Sequence, residues 1–241
     1  MTLFFAAEDS GFFEDLRERF INNFITGDRW KYLANGLGVT MKITLGAVII
    51  GVILGFLVAA VRATHDKTGK LRFLNAVAKI YLTVIRGTPV VVQLLITYFV
   101  ILAPMGVDEI IVAIFAFGIN SGAYVAEIVR AGIMSVDNGQ FEAGRSLGFN
   151  YAQTMWYVIL PQAFKNILPA LCNEFIVLLK ETSVSGYIAL QDLTKGGYII
   201  VGRTFDAFMP LISVAIIYLV IVMILTKLVA LLERRLRNSE H

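Results

Sequence analysis

The sequence has few charged side chains, one cysteine and two histidines, and each shortage excludes a class of protein. Only 16% of the 241 residues are Asp, Glu, Lys or Arg, against about a quarter in a soluble domain. These charged residues are too few to cover the surface of a water-soluble fold. Cys172 alone cannot build a disulfide framework or a thiol-based zinc site. His65 and His241 do not make a metal site. A formal net charge of +3 is too small to indicate a nucleic-acid partner.

Hydrophobic side chains make up 57% of the sequence and are concentrated in runs that contain no charge. Four such runs approach the roughly 17 to 25 residues that cross a bilayer core: 43–61, 87–107, 110–126 and 207–226. A weaker apolar stretch lies between the last two. We therefore predict an all-α integral membrane protein with five transmembrane helices, at about residues 43–62, 73–103, 109–130, 166–184 and 207–230.

The second predicted span is too long to be a single straight helix. Residues 73–103 would extend over roughly 46 Å at about 1.5 Å per residue, whereas the hydrocarbon core is about 30 Å thick. Proline removes a backbone donor and glycine loosens a helix. The segment is therefore expected to bend at its Arg-Gly-Thr-Pro sequence, residues 86–89.

Positive charges indicate which ends of the spans face the cytoplasm. Residues 62–72 contain four Lys or Arg residues and a single Asp, and three arginines follow the last span. Both segments are predicted to be cytoplasmic, which places the amino terminus outside. Residues 1–34 are predicted to be an external or interfacial amphipathic segment, although a helix packed on another subunit is an alternative. Residues 35–235 form the predicted transmembrane domain, and residues 236–241 form a cytoplasmic tail.

A patterned segment follows the third span. Residues 142–161 read Glu-Ala-Gly-Arg-Ser-Leu-Gly-Phe-Asn-Tyr-Ala-Gln-Thr-Met-Trp-Tyr-Val-Ile-Leu-Pro. This segment resembles the cytoplasmic loop of ATP-binding-cassette (ABC) importer permeases, whose pattern is E-A-A, three residues, G, nine residues, I, one residue, L-P. The positions that match are Glu142, Ala143, Gly148, Leu160 and Pro161. Gly144 replaces an alanine of the pattern and Val158 replaces its isoleucine; the glycine should loosen the helix by up to about 1 kcal/mol.

A short helix, a glycine turn and a second helix would form a compact knob that projects from the membrane. In the family such a knob docks on the nucleotide-binding subunit and transmits the closure of two such subunits to the spans. The resemblance thus implies that residues 131–162 form a coupling loop. An ordinary helical hairpin between two spans is the alternative.

Three further stretches resemble the polar amino acid uptake branch of these permeases, the histidine, glutamine and arginine type. They are residues 86–89 followed by 93–95, residues 122–133 and residues 173–175. With the loop, the resemblance covers about residues 35–235. It implies a type I ABC importer permease fold, similar to that of the methionine importer, in a bacterial inner membrane.

The resemblance also implies the partners. These are a second, similar or identical permease subunit, two ABC ATPase subunits, an extracellular or periplasmic solute-binding protein, and an amino acid as substrate. The sequence contains no G-x-x-x-x-G-K-[ST] phosphate loop. We therefore expect ATP and Mg²⁺ on the partner ATPase, and neither a cofactor nor a catalytic residue on this chain.

Polar residues inside a membrane are costly, so they are expected to face a pathway or a partner. The candidates for a substrate pathway are Gln93, Asn120, Ser121, Tyr124, Asn173 and Glu174. Glu174 and the amide and hydroxyl groups could bind the ammonium and carboxylate of an amino acid. The alternative is that they hydrogen-bond between helices, with Glu174 paired to a cation such as Lys180. Glu127 and Arg130 are interpreted as structural ions or gate elements.

Two other functions are compatible with a polytopic membrane protein. An ion-coupled secondary transporter would use intramembrane carboxylates, but it predicts inverted repeats and usually a longer chain. An intramembrane enzyme would need a nucleophile with a base, or clustered metal ligands, and the sequence supplies neither. The permease subunit of an ATP-driven importer is the predicted function.

Overall fold

The computed structural model describes residues 2–238, and within that range every regular element is helical. The α-helices are α1 (Thr2–Phe20), α2 (Trp30–Thr68), α3 (Arg72–Arg86), α4 (Val90–Leu95), α5 (Glu109–Met134), α6 (Asn138–Ser146), α7 (Tyr151–Thr154), α8 (Leu160–Glu181), α9 (Leu193–Thr204) and α10 (Phe208–Asn238). A π-helical segment, Ile96–Leu102, extends α4, and a second, Met155–Ile159, joins α7 to α8. The predicted all-α class is confirmed.

Several of these helices are long and apolar enough to cross a membrane. In the described range, α2, α5 and α10 qualify singly, and α3 together with the extended α4 qualifies as one broken span. The remaining predicted span, residues 166–184, corresponds to α8. This helix is less apolar because it contains Lys165, Glu174, Lys180 and Glu181. A crossing by α8, and hence the count of five, stays a prediction.

Helix α2 is longer than the span predicted at residues 43–62. Its 39 residues extend over about 58 Å, nearly twice the thickness of a hydrocarbon core. The additional turns at its start pack on α9, where the amide of Leu193 donates to the Thr40 hydroxyl at 3.2 Å and Leu33 is buried. Because the helix begins at Trp30, the predicted boundary between residues 34 and 35 falls inside it.

The predicted bend lies at the expected residues. Helix α3 ends at Arg86, α4 begins at Val90, and the two halves of the broken span make an angle of 108°. The amide of Gly87 still bonds to the carbonyl of Thr83 at 3.0 Å, whereas Pro89 has an extended conformation and offers no amide hydrogen. The helix therefore stops and restarts in a new direction.

Helices α2 and α5 form the centre of the bundle and approach closely along glycines. A Cβ atom added to Gly46 would lie 2.8 Å from Ile114, and one added to Gly51 would lie 2.9 Å from Ser121. On α5, a Cβ at Gly118 would lie 2.8 Å from Ile50. Gly46 and Gly51 of α2 and Gly118 of α5 thus allow the two helices to pack closely.

The two ends of α2 define two ends of the molecule. At its start, the Asn23 amide donates to Asp206 at 2.9 Å and the Thr204 hydroxyl donates to Asn23 at 2.8 Å. At its finish, Ala63 and Asp66 line a cavity of about 250 Å³ together with the end of α5 and residues 136–155. The basic turn after α2 and the segment 131–162 therefore lie at the same end.

Candidate functional site

Polar side chains meet inside the bundle where α4 packs on α5. The Asn120 amide donates to the Gln93 side-chain oxygen at 2.9 Å. The Gln93 amide in turn donates to the carbonyl of Ile85 at 2.7 Å and to the Thr88 hydroxyl at 2.8 Å. Gln93 therefore ties α5 to the broken span, and it satisfies a carbonyl that the break leaves without a helical partner. The buried Oδ1 of Asn120 has no hydrogen-bond partner among the described residues.

The next residue of α5 extends the polar row towards α8. The Ser121 hydroxyl is fully buried and donates to the Glu174 carboxylate at 2.9 Å. Glu174 is half-buried, and among the side chains that the structure describes it makes no ion pair with Lys180 or any other cation. The carboxylate thus keeps acceptor capacity that the protein does not use.

Tyr124 and Asn173 lie outside this row. Tyr124 follows Asn120 by one helical turn, but it is exposed, and its ring centre lies 5.8 Å from the Arg86 guanidinium. Asn173 precedes Glu174 on α8 and its side chain is exposed. The structure therefore pairs Gln93 with Asn120 and Ser121 with Glu174, and it leaves the other two predicted pathway residues exposed.

An ion cluster lies about two turns further along α5. Glu127 accepts from Arg130 at 3.0 Å and lies 3.5 Å from Arg62 and 3.9 Å from Arg86. All four side chains are partly shielded from solvent. Three cations thus surround one carboxylate, and the cluster links α2, α3 and α5. The interpretation of Glu127 and Arg130 as structural ions fits this geometry.

Sequence reasoning assigned no site role to several residues that the structure places here. The Tyr81 hydroxyl donates to the carbonyl of Ile119 at 2.6 Å and so joins α3 to α5. Arg62 was counted as a loop charge, but α2 continues six residues beyond it. The helical periodicity of apolar and polar residues in α3 could have identified this side of the helix, because it places Tyr81, Leu82 and Arg86 on one side.

The segment 131–162 has the predicted helix, turn and helix. The Asp137 side chain accepts from the amide of Gly139 at 2.7 Å and begins α6. Gly148 has a φ of +79°, a left-handed conformation that favours glycine. Asn150 and Gln153 then form a capping box that begins α7. The turn residue of the motif is thus explained by backbone geometry.

The glycine at the third motif position has a packing role in addition to the predicted loosening of α6, which stays a prediction. Gly144 is buried, and a Cβ atom there would lie 2.6 Å from the side chain of Thr154. Its carbonyl accepts from the amide of Phe149 at 3.0 Å. Gly144 therefore lets α6 pack directly on α7.

The outward side of this helical pair is open. Glu142, Ala143 and Pro161 are exposed, Leu160 is half-buried, and Leu147 is exposed to 72%. On the inward side, the Tyr151 ring stacks on Phe141 at 6.4 Å between centroids. Burial raises the pKa of the Tyr151 phenol, so the ring stays neutral. The inward side of the helical pair is thus packed against the protein, and the outward side exposes the carboxylate of Glu142 and the apolar side chain of Leu147.

Comparison with known proteins identifies the class. Residues 35–238 match the family described as binding-protein-dependent transport system inner membrane component, and the chain belongs to this family. It is therefore a membrane-spanning permease subunit of an ABC importer, and in this family the ATPase is a separate subunit.

Particular relatives agree with this class. The chain is 40% identical over 211 residues to the arginine transport system permease protein ArtQ of Bacillus subtilis (strain 168), covering 87% of this chain and 94% of the relative. It is 38% identical over 201 residues to the glutamine transport system permease protein GlnP of Escherichia coli (strain K12), covering 81% and 90%. The resemblance to amino acid permeases is confirmed.

Solved structures support the fold. An amino acid ABC transporter crystallised with histidines matches with a TM-score of 0.80 and 45% identity over 88% of this chain and 98% of that chain. The MetNI methionine transporter matches with a TM-score of 0.68 and 20% identity over 87% and 96%, which concerns the fold alone. The predicted type I importer fold is confirmed. Membership of the family also favours an ATP-driven importer over an ion-coupled secondary transporter.

Proposed function

We propose that this permease carries an amino acid past the polar row formed by Gln93, Asn120, Ser121 and Glu174. The observation that carries the proposal is the half-buried Glu174 carboxylate, which has one hydroxyl donor and, among the side chains that the structure describes, no cation. An uncompensated carboxylate at this depth is costly, and the cationic side chain of a substrate would offset the cost. Asn120 supplies a second unused acceptor.

Tyr124 and Asn173 complete the proposed pathway at its rim. Both are exposed and flank the row along α5 and α8. The Asn173 amide and the Tyr124 hydroxyl are donors that suit a substrate carboxylate. A zwitterion would then be bound by acceptors on one side and donors on the other.

Residues 131–162 are proposed to couple the permease to its ATPase. The supporting observations are a closely packed inward side, in which Gly144 lies against Thr154, and an outward side that exposes Glu142 and Ala143. A lever that transmits force needs both. Gly148, Leu160 and Pro161 fix the turn and the start of the following helix.

The complete transporter is proposed to contain two permease subunits, similar or identical, and two ABC ATPase subunits that hold ATP and Mg²⁺. An external solute-binding protein delivers the amino acid. The chain spans a bacterial inner membrane with its amino terminus outside and residues 236–241 in the cytoplasm. The supporting observation is that the basic turn 62–72 and the coupling loop lie at one end of the bundle.

The test is uptake of labelled arginine, glutamine and cystine into proteoliposomes that contain this chain with its ATPase and binding protein. Glu142→Lys should insert and assemble normally, yet substrate-stimulated ATP hydrolysis should fall more than about tenfold, because a docking contact reverses its charge. Glu142→Gln, which removes the charge without reversing it, should lose less. Normal stimulation in Glu142→Lys, or uptake without the ATPase, would contradict the proposal.

A further inference from the structure

The ion cluster forms part of a groove that is open to the surface. Arg62, Lys79, Thr83, Arg86 and Glu127 line a groove of about 480 Å³, called the basic groove below. Its lining has three cations and one carboxylate, and Glu127 is already bound by Arg130 at 3.0 Å. The groove therefore has an excess of positive charge.

The cations of the basic groove are only partly satisfied. Arg86 lies 3.9 Å from Glu127, at the outer limit of an ion pair, and its side chain is 45% exposed. The buried Nε of Arg62 has no hydrogen-bond partner, and Lys79 has no ion-pair partner, in the part of the chain that the structure describes. Unused guanidinium and ammonium donors are what a phosphate group requires.

The same helix offers an apolar surface next to this charge. On α3, Phe73, Val77, Ile80 and Val84 are exposed to 79%, 49%, 65% and 52%. Their spacing of four, three and four residues places them on one side of the helix. The groove residues Lys79 and Thr83 lie on the adjoining side. A ligand with an anionic head and apolar chains would match both surfaces.

The depth of the groove suits such a ligand. Arg62 lies six residues before the end of α2, and Glu127 lies seven residues before the end of α5. At about 1.5 Å per residue, both are roughly 10 Å from those ends, near the boundary between headgroups and hydrocarbon. This placement rests on the proposed cytoplasmic orientation of the coupling loop.

We propose that the basic groove binds the phosphate of an anionic phospholipid from the cytoplasmic leaflet, with its acyl chains along the exposed side of α3. Basic pockets at the cytoplasmic side of membrane helices are suited to such headgroups. The bound lipid would hold α3 against α2 and α5, next to the break at residues 86–89. The site is separate from the polar row at Glu174.

The experiment measures lipid association in nanodiscs that contain the assembled transporter, without ATP or substrate. Spin-labelled phosphatidylglycerol should associate more strongly than spin-labelled phosphatidylcholine. Lys79→Gln should lower this preference about fivefold, the typical contribution of one basic residue near an anionic surface. Lys70→Gln, in the exposed turn before α3, is the matched control and should leave the preference unchanged. Lys79→Arg should retain it.

Several outcomes would overturn the proposal. Equal losses in Lys79→Gln and Lys70→Gln would indicate general surface attraction, and an absent preference in the unmodified protein would exclude the site. Displacement of the lipid by millimolar inorganic phosphate, or by free arginine, would assign the groove to a soluble anion or to the substrate path.

Orientation is tested separately. A cysteine introduced at Lys70, with Cys172→Ser, should react with a membrane-impermeant reagent only from the cytoplasmic side. Reaction from outside would overturn the proposed topology. Reaction from inside without lipid preference would overturn only the lipid site.

Discussion

Helices α5 and α10 are both long and apolar enough to cross a membrane, yet their packing is opposite. In the most apolar 18-residue stretch of each, 61% of the residues are buried in α5 and 11% in α10, although the stretch in α10 is the more apolar of the two. Lipid chains are as apolar as leucine, so apolarity does not drive a helix into the protein interior here. Small residues and polar groups do, and α5 has both in Gly118, Asn120, Ser121 and Gly122.

The strongest test of this difference adds volume to each helix. Gly118→Leu should lower the stability of the purified transporter by about 3 kcal/mol or more, because the new side chain meets Ile50 and the backbone of Ala47. Ala230→Leu, on the exposed side of α10, should leave thermal unfolding in detergent unchanged. Similar unfolding temperatures for the two variants would contradict the conclusion that α5 is closely packed and α10 is not.

Removing volume should give a smaller effect with the same sign. Phe117 of α5 is fully buried, and Phe117→Ala should cost about 2 kcal/mol, below the usual range because only the cavity term remains in a bilayer. Leu219 of α10 is 57% exposed, and Leu219→Ala should cost almost nothing. The midpoints of thermal unfolding measure both, and a large loss in Leu219→Ala would indicate that α10 is covered in the assembly.

Replacing Glu174, which accepts a hydrogen bond from Ser121 of α5, should lower the transport rate more than it lowers the stability of the protein. Glu174→Gln keeps an acceptor for the Ser121 hydroxyl but removes the charge. Uptake of arginine should fall about tenfold relative to uptake of glutamine, since a charged hydrogen bond is lost for the cationic substrate only. Initial uptake rates over a range of substrate concentrations give this ratio. Equal losses for both substrates would assign Glu174 to structure.

The smallest effect distinguishes two glycines on one helix. Gly36 of α2 is buried, and a Cβ there would lie 2.6 Å from the Asp192 carbonyl oxygen, whereas a Cβ at Gly38 would meet nothing within 4 Å. Gly36→Ala should therefore destabilise by about 1 kcal/mol, and Gly38→Ala should stabilise by up to about 1 kcal/mol through helix propensity. Unfolding temperatures that move in the same direction would contradict the packing at Gly36.

The sequence predicted the features that depend on local chemistry. The bend at residues 86–89 follows from glycine and proline, and the turn at Gly148 follows from a backbone conformation that favours glycine. The long charge-free runs locate the centres of α2, α5 and α10. Each of these can be read from a few neighbouring residues.

Features that depend on distant partners were not predicted. The extra turns at the start of α2 are held by α9, which follows more than 150 residues later, as the bond from Leu193 to Thr40 illustrates. The role of Gly144 depends on Thr154, and the pairing of Ser121 with Glu174 depends on how α5 meets α8. Composition marked these polar residues as candidates, but only the packing of helices decides which of them touch.

The uninterrupted length of α2 has a mechanical consequence. An uninterrupted helix of about 58 Å that is held near its middle by α5 would turn as one body, so its two ends would move in opposite directions. A tilt of roughly 10° would displace each end by about 5 Å. A push on the end that lies beside residues 131–162 would thereby reach the turn at Thr204 and Asp206 without any intermediate hinge in α2.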